Sequence, residues 1–161
     1  MDKLRALFTS LGLKGVETFI ASGNVVFEPG KGSVAALEQR IEKHLGKALG
    51  YEVATFIRSG AEVAAVAAYQ PFPAKVLARA KAFVVGFTAE PLTARQTRTI
   101  LDFKTDLEDF HVHGREVYWA SRVGQGKSKF SNAVFERAVT RATWRGMNTV
   151  KKLVAKYGFE A

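Results

Sequence analysis

Leu4, Leu7, Phe8 and Leu11 recur at i, i+3, i+4 and i+7. That spacing lays one apolar stripe along a helix over residues 2–11. Asp2 is suited to cap its start and Gly12 to end it. The period then changes. Val16–Ile20 and Asn24–Phe27 are β-branched and aromatic runs that predict two strands. Pro29-Gly30-Lys31-Gly32 predicts a loop. Ser33 is placed to cap a second helix, in which Leu37, Ile41 and Leu45 share one face and which Gly50 ends. Val53–Ile57 predicts a third strand. Ser59-Gly60-Ala61-Glu62 has the capping-box spacing, so a short helix opens there and stops before Pro71.

Pro71-Phe72-Pro73 predicts a boundary, because two prolines remove two backbone donors and stiffen the chain. We therefore expect two subdomains, 1–71 and 72–161. In the second, Ala82–Phe87 reads as a strand and Thr93-Ala94-Arg95-Gln96 as a capping box that opens a helix to about Phe103. Phe110–Val112 and Glu116–Ala120 predict a hairpin turning at His113-Gly114-Arg115. Gly124-Gln125-Gly126 predicts a loop and Lys129–Arg141 a helix. Val150, Leu153, Val154 and Tyr157 give a last helix its apolar face.

The order of elements sets the expected fold. The second half reads strand, helix, strand, strand, helix. The first half reads helix, strand, strand, helix, strand, helix. They match in order, with no residue-level repeat, if the first half lacks an opening strand. Strand-helix-strand-strand-helix-strand is the ferredoxin-like, split βαβ arrangement. The expected class is α+β: two small α/β sandwich subdomains, the first ferredoxin-like and missing its opening strand.

Composition narrows the chemistry. Of the 161 residues, 47% are hydrophobic and 12 are Phe, enough for a packed core without staples. The absence of Cys excludes disulfides, thiolate metal sites and a cysteine nucleophile, and suits a cytoplasmic setting. No apolar run approaches the roughly 20 residues needed to cross a bilayer, so no membrane partner is expected. The net charge of +9 is uneven. Residues 122–161 hold nine Lys and Arg against Glu136 and Glu160, a net of +7. That asymmetry points to an anionic partner for the last quarter of the chain.

Four motifs, in order, carry a resemblance. They are Thr18–Phe27 with Ser22-Gly23-Asn24 at its centre, Pro71-Phe72-Pro73, Gly126-Lys127-Ser128-Lys129, and Ala142-Thr143-Trp144-Arg145-Gly146-Met147-Asn148-Thr149-Val150. Together they resemble the bacterial family known as domain of unknown function sixteen ninety-seven, over nearly the whole chain. The resemblance implies an α+β fold with a ferredoxin-like N-terminal part, and no reaction, substrate or cofactor. Two departures stand out. Family members usually open with a strand and an Arg-Gly-Ile-Asn-Val-Gly-Gly-like stretch, whereas Met1 falls within the next helix. Either the start is assigned too late or this member is shortened, in which case a second copy would close the gap and form a homodimer. Arg145-Gly146-Met147 replaces a typical Arg-Asn-Trp.

Each candidate site has a plain structural alternative. Ser22, Gly23 and Asn24 could present amides and side chains to a ligand, but a tight turn explains Gly and Asn between two strands. Gly124-Gln125-Gly126-Lys127-Ser128 resembles the end of a phosphate-binding loop, yet Ser121 stands where the full motif needs Gly. Lys127, Ser128 and Lys129 at a helix start could still hold an anion, or Ser128 could be a plain N-cap. Arg145, Asn148 and Lys152 would share one helical face at i, i+3 and i+7, with Lys151 beside them and Trp144 either stacking on bases or buried. His111 and His113 alternate on one strand face without a third ligand, so we expect solvated histidines and no metal.

The function expected from these residues is binding of an anionic partner, foremost nucleic acid, by the basic C-terminal segment, with no cofactor. Two alternatives stand beside it. One is a small-metabolite binder or enzyme taking a phosphorylated small molecule in an anion-binding cleft between the halves. The other is a shortened paralogue acting as an interaction module.

Overall fold

In the computed structural model, which describes residues 2–19, 23–28, 30 and 32–161, the chain folds into two units, Met1–Ile57 and Arg58–Ala161. The first begins with α1 (Asp2–Ser10), whose stripe of Leu4, Leu7 and Phe8 faces its core. Strands β1 (Lys14–Phe19) and β2 (Asn24–Glu28) pair antiparallel, with Phe19 opposite Asn24. Gly23, at φ 82°, takes a left-handed conformation that favours glycine. Helix α2 (Val34–Leu49) starts at Ser33, whose hydroxyl accepts from the Ala36 N–H, and ends at Gly50 in the left-handed region. Ile41 and Leu45 are fully buried beside Phe8 and Leu13.

The strand expected at Val53–Ile57 does not form. Val53 and Ile57 pack into this core, but no neighbouring strand among the described residues pairs with the segment. Instead the Thr55 N–H donates to the Glu42 carboxylate at 2.9 Å and the Ile57 N–H to Glu38 at 2.7 Å. Two side chains of α2 thus do the work of a ladder, since buried amides need some acceptor. Among the described residues the unit runs α1-β1-β2-α2 with a two-stranded sheet, so the closing strand of the expected ferredoxin-like order is absent as well as the opening one.

The second unit starts thirteen residues before the expected boundary at 71. Helix α3 (Gly60–Ala68) belongs to it, and the proline pair lies inside it. The reason is Arg58, whose buried side chain pairs with Glu116 at 3.0 Å. After Pro73 comes α4 (Ala74–Arg79), a short helix that buries no residue and so leaves no apolar stripe to read in the sequence. Then follow β3 (Ala82–Phe87), α5 (Ala94–Leu101), β4 (Glu108–His113) and β5 (Glu116–Ser121). A one-turn 3-10 helix (Gln125–Lys127) leads to α6 (Asn132–Ala138), capped by Ser131. The helix expected from Lys129 is therefore shorter and begins three residues later.

The chain closes with β6 (Thr143–Gly146) and α7 (Met147–Tyr157). Strand β6 was not anticipated. It completes an antiparallel sheet of order β4-β5-β3-β6. On one face Val84, Phe110, Val117 and Trp119 meet Ile100, Phe130 and Phe135. On the other face lie the fully buried Val85 and Tyr118, on the side where α3 packs on α7 and α7 on β3. Among the described residues no helix is long and apolar enough to cross a membrane.

Gly86 makes the β3–β6 pairing possible. It lies opposite Trp144, and a Cβ there would come within 2.8 Å of the indole ring. Gly86→Ala should therefore lower the unfolding free energy by about 1–3 kcal/mol, as overpacking does. Urea denaturation checks this, and an unchanged midpoint would show that the ring moves aside freely.

Candidate functional site

Charge divides between the units as the core does. Residues 58–161 hold seventeen Lys and Arg against nine Asp and Glu, so +8 of the net +9 lies in the second unit. Its most regular cationic surface is α7. Met147 and Val150 are buried and Leu153, Val154 and Tyr157 half-buried, which turns Asn148, Lys151 and Lys152 outward. These three stand at i, i+3 and i+4 on one exposed face. Among the described residues no carboxylate lies within 4.0 Å of Lys151 or Lys152, nor of the exposed Lys127 and Lys129.

Arg145 does not join that face. It lies in β6, half-buried, and donates to the Thr143 hydroxyl at 2.7 Å and to the Trp144 carbonyl at 2.8 Å. Burial pushes its guanidinium pKa down. Trp144 is held by the core, with its indole N–H on Asn132 at 2.8 Å and its ring edge-on to Phe135. The helical face expected to join Arg145 with Asn148 and Lys152 is thus broken by a strand, because Gly146 ends the ladder before α7 begins.

Ser128 caps no helix. Its hydroxyl donates to the Glu108 carboxylate and accepts from the Phe130 N–H at 3.0 Å. The same carboxylate oxygen accepts from the indole N–H of Trp119 at 2.9 Å. Glu108 is buried, so Ser128 and Trp119 supply the donors that its burial demands. Lys127 and Lys129 flank this anchor and stay in solvent. Gly23 and Asn24 belong to the first unit, where the Asn24 side-chain amide donates to the Phe19 carbonyl at 3.0 Å across the hairpin. Ser22 lies outside the described residues.

A polar row on the helix-covered sheet face escaped the sequence reading. His111, Tyr118, Val85 and Arg145 are consecutive cross-strand neighbours. Tyr118 is 0% exposed and its hydroxyl has no hydrogen-bond partner among the described residues. Burial first, then the Glu116 charge, pushes its pKa far up. His111 shares a 2.7 Å hydrogen bond with the Tyr69 hydroxyl, and His113 stacks on the Tyr69 ring. His111 is therefore half-buried rather than solvated. In the first unit, His44 meets the Ser10 hydroxyl at 2.8 Å. Among the described residues no group of His, Asp or Glu converges as a metal site. The signal for the row was the alternation of His111 and His113 opposite a Tyr, visible only once the register is known.

Fold and surface define a mixed α+β protein with one strongly basic unit. The chain belongs to the family described as protein of unknown function (DUF1697), whose model matches residues 1–118. That match ends within β5, so Lys127, Arg145 and α7 lie beyond it. The fold is similar to that of a conserved bacterial protein from Streptococcus pneumoniae, with a TM-score of 0.71 at 20% identity. The likeness covers 98% of this chain and 88% of the other. A comparison with curated proteins returns no match.

Two outcomes follow. Ser128→Ala should cost about 1–2 kcal/mol of stability in urea denaturation, since Glu108 loses one of two donors. A variant that unfolds at the wild-type midpoint would free Ser128 for a ligand. The second concerns pH. Burial, then the charge of His113, holds the His111 pKa below its ordinary value. The folded state thus favours the neutral ring. Its contribution is present above the unfolded pKa of about 6.5 and is lost as pH falls towards the folded value. The unfolding free energy should fall between about pH 7 and pH 5, and His111→Phe should reduce that slope. An equal slope in the variant would assign the effect to other groups.

Proposed function

We propose that the second unit binds an anionic polymer, foremost nucleic acid, through its exposed basic surface. The observation that supports this is the outer face of α7. Lys151 and Lys152 project beside Asn148 with no carboxylate within 4.0 Å among the described residues. Two neighbouring ammonium groups without a countercharge concentrate positive potential on this face. A phosphate backbone complements it and releases its own counterions. Asn148 adds a polar group suited to phosphate or sugar. Lys127 and Lys129 supply further phosphate contacts. Trp144 is held in the core, so the reading rests on phosphate contacts and predicts little sequence preference. A chain without cysteine suits the reducing cytoplasm, where such a partner is abundant.

Fluorescence anisotropy of labelled single- and double-stranded oligonucleotides, titrated over a salt series, tests it. Affinity should fall linearly in log–log form and persist near physiological salt. Replacing Lys151 and Lys152 together by Ala should reduce the slope by about 1.4–1.8, the loss expected for two phosphate contacts. A slope unchanged in the double variant removes α7 from the interface. Binding confined to very low salt would reduce the charge to general electrostatics.

A further inference from the structure

A second cationic feature of the second unit lies away from α7. A cavity of about 250 Å³ opens between α4 and the ends of β4 and β5, with the buried Ala120 in its wall. Three cations line it: Lys75 and Arg79 of α4, and Arg122 just after β5. The backbone fixes their positions. The Arg122 N–H donates to the Leu107 carbonyl at 2.9 Å and the Lys81 N–H to the Ser121 carbonyl at 2.7 Å. Together these bonds tie the end of β5 to the segment before β4 and to the entry of β3.

The charges are not balanced within the cavity. Asp106 and Asp109 also line it, but Asp109 is engaged by Lys104 at 3.3 Å. No carboxylate lies within 4.0 Å of Lys75, Arg79 or Arg122 among the described residues. Helix α4 fully buries none of its six residues, and only Val76 and Leu77 are half-buried. It sets two like charges at i and i+4, an arrangement that costs stability unless something neutralises them. The exposed Asp106 stands as the one uncommitted carboxylate facing three uncommitted cations.

We propose that this cavity is a binding site for a small phosphate monoester carrying a hydroxyl group. The two guanidinium groups offer planar forks that match phosphate oxygens, and Lys75 adds a point charge. Asp106 accepts a hydrogen bond from the ligand's hydroxyl. The same carboxylate repels the continuing backbone of a polymer, so this site selects a single phosphate. Its volume lies below the roughly 300–1,000 Å³ of drug-sized pockets, which limits the ligand to a few carbons beyond the phosphate. The site shares no residue with the α7 face and stands whether or not nucleic acid binds there.

Glycerol 3-phosphate and inorganic phosphate, each titrated into the full chain and followed by amide NMR shifts, test the proposal, with glycerol as control. Saturable shifts at Lys75, Arg79, Leu107, Ala120 and Arg122 are expected with both phosphates and not with glycerol. Arg79→Gln and Arg122→Gln should each weaken binding about tenfold with no loss of thermal stability, since both side chains are exposed. Asp106→Asn should weaken glycerol 3-phosphate and not inorganic phosphate. Non-saturating shifts, shifts centred on Lys151 and Lys152, or affinity indifferent to both Arg variants would overturn the site. Equal tightening of both ligands by Asp106→Asn would overturn its hydroxyl-accepting role.

Discussion

The buried guanidinium of Arg58 holds the second unit to its plan. Its side chain is 4% exposed and that of Glu116 14%. It donates to Glu116 at 3.0 Å, to the Thr88 carbonyl at 2.7 Å and to the Arg115 carbonyl at 3.3 Å, and lies over the Phe87 ring. Burial pulls its pKa down while the Glu116 hydrogen bond and charge pull it back. A charge so placed is tolerable only with its partner. Removing one member of such a pair typically costs about 3–5 kcal/mol. Glu62 extends the knot: one oxygen accepts the Ser59 N–H that starts α3, and the other accepts from Arg115 in the β4–β5 turn. Burial pushes the Glu62 pKa up, but Ser59 and Arg115 outweigh it and hold it low. The start of α3 is thereby stitched to the sheet. Helix α3 packs on α7, so the orientation of the basic face of α7 depends on a pair, Arg58 and Glu116, that lies outside that helix and earlier in the chain.

What was legible in the sequence was local. The capping boxes Ser59–Glu62 and Thr93–Gln96 are three-residue relations, and both form. Gly50 ends α2 by its own conformational freedom. Strand β3 and the β4–β5 hairpin were visible because their alternation and their turn lie within a few residues. What was not legible depends on distant partners. Strand β6 is four residues long and is defined by β3, some sixty positions earlier. Val53–Ile57 has a strand's composition, but its amides find the carboxylates of Glu38 and Glu42. Helix α4 is six residues long and fully buries none of them, so it carries no periodic mark.

The same distinction sorts the site. The outward positions of Asn148, Lys151 and Lys152 follow from helical period and were readable. The fates of Ser128 and Arg145 were not. A serine after Gly-Lys reads as a cap or a phosphate ligand until Glu108, twenty residues away, claims its hydroxyl. An arginine amid basic residues reads as exposed until the sheet register turns it inward beside Val85. Charge counting could not separate the two cases, because both residues carry the composition of a surface.

Two cationic surfaces on one small unit differ in how their negative charges are arranged, and in the proposed binding that difference would govern what each accepts. On α7 the cations follow a helix axis and no carboxylate approaches Lys151 or Lys152, so an extended anion can run along the helix without meeting repulsion. Around Arg79 and Arg122 the cations enclose a space and carboxylates stand at its edge. A polymer entering there would meet Asp106 with its next phosphate, whereas a compact ligand would place one phosphate among the cations and a neutral donor against Asp106. Net charge would draw anions to both proposed sites alike. The placement of a few carboxylates is what would give them different shapes of partner.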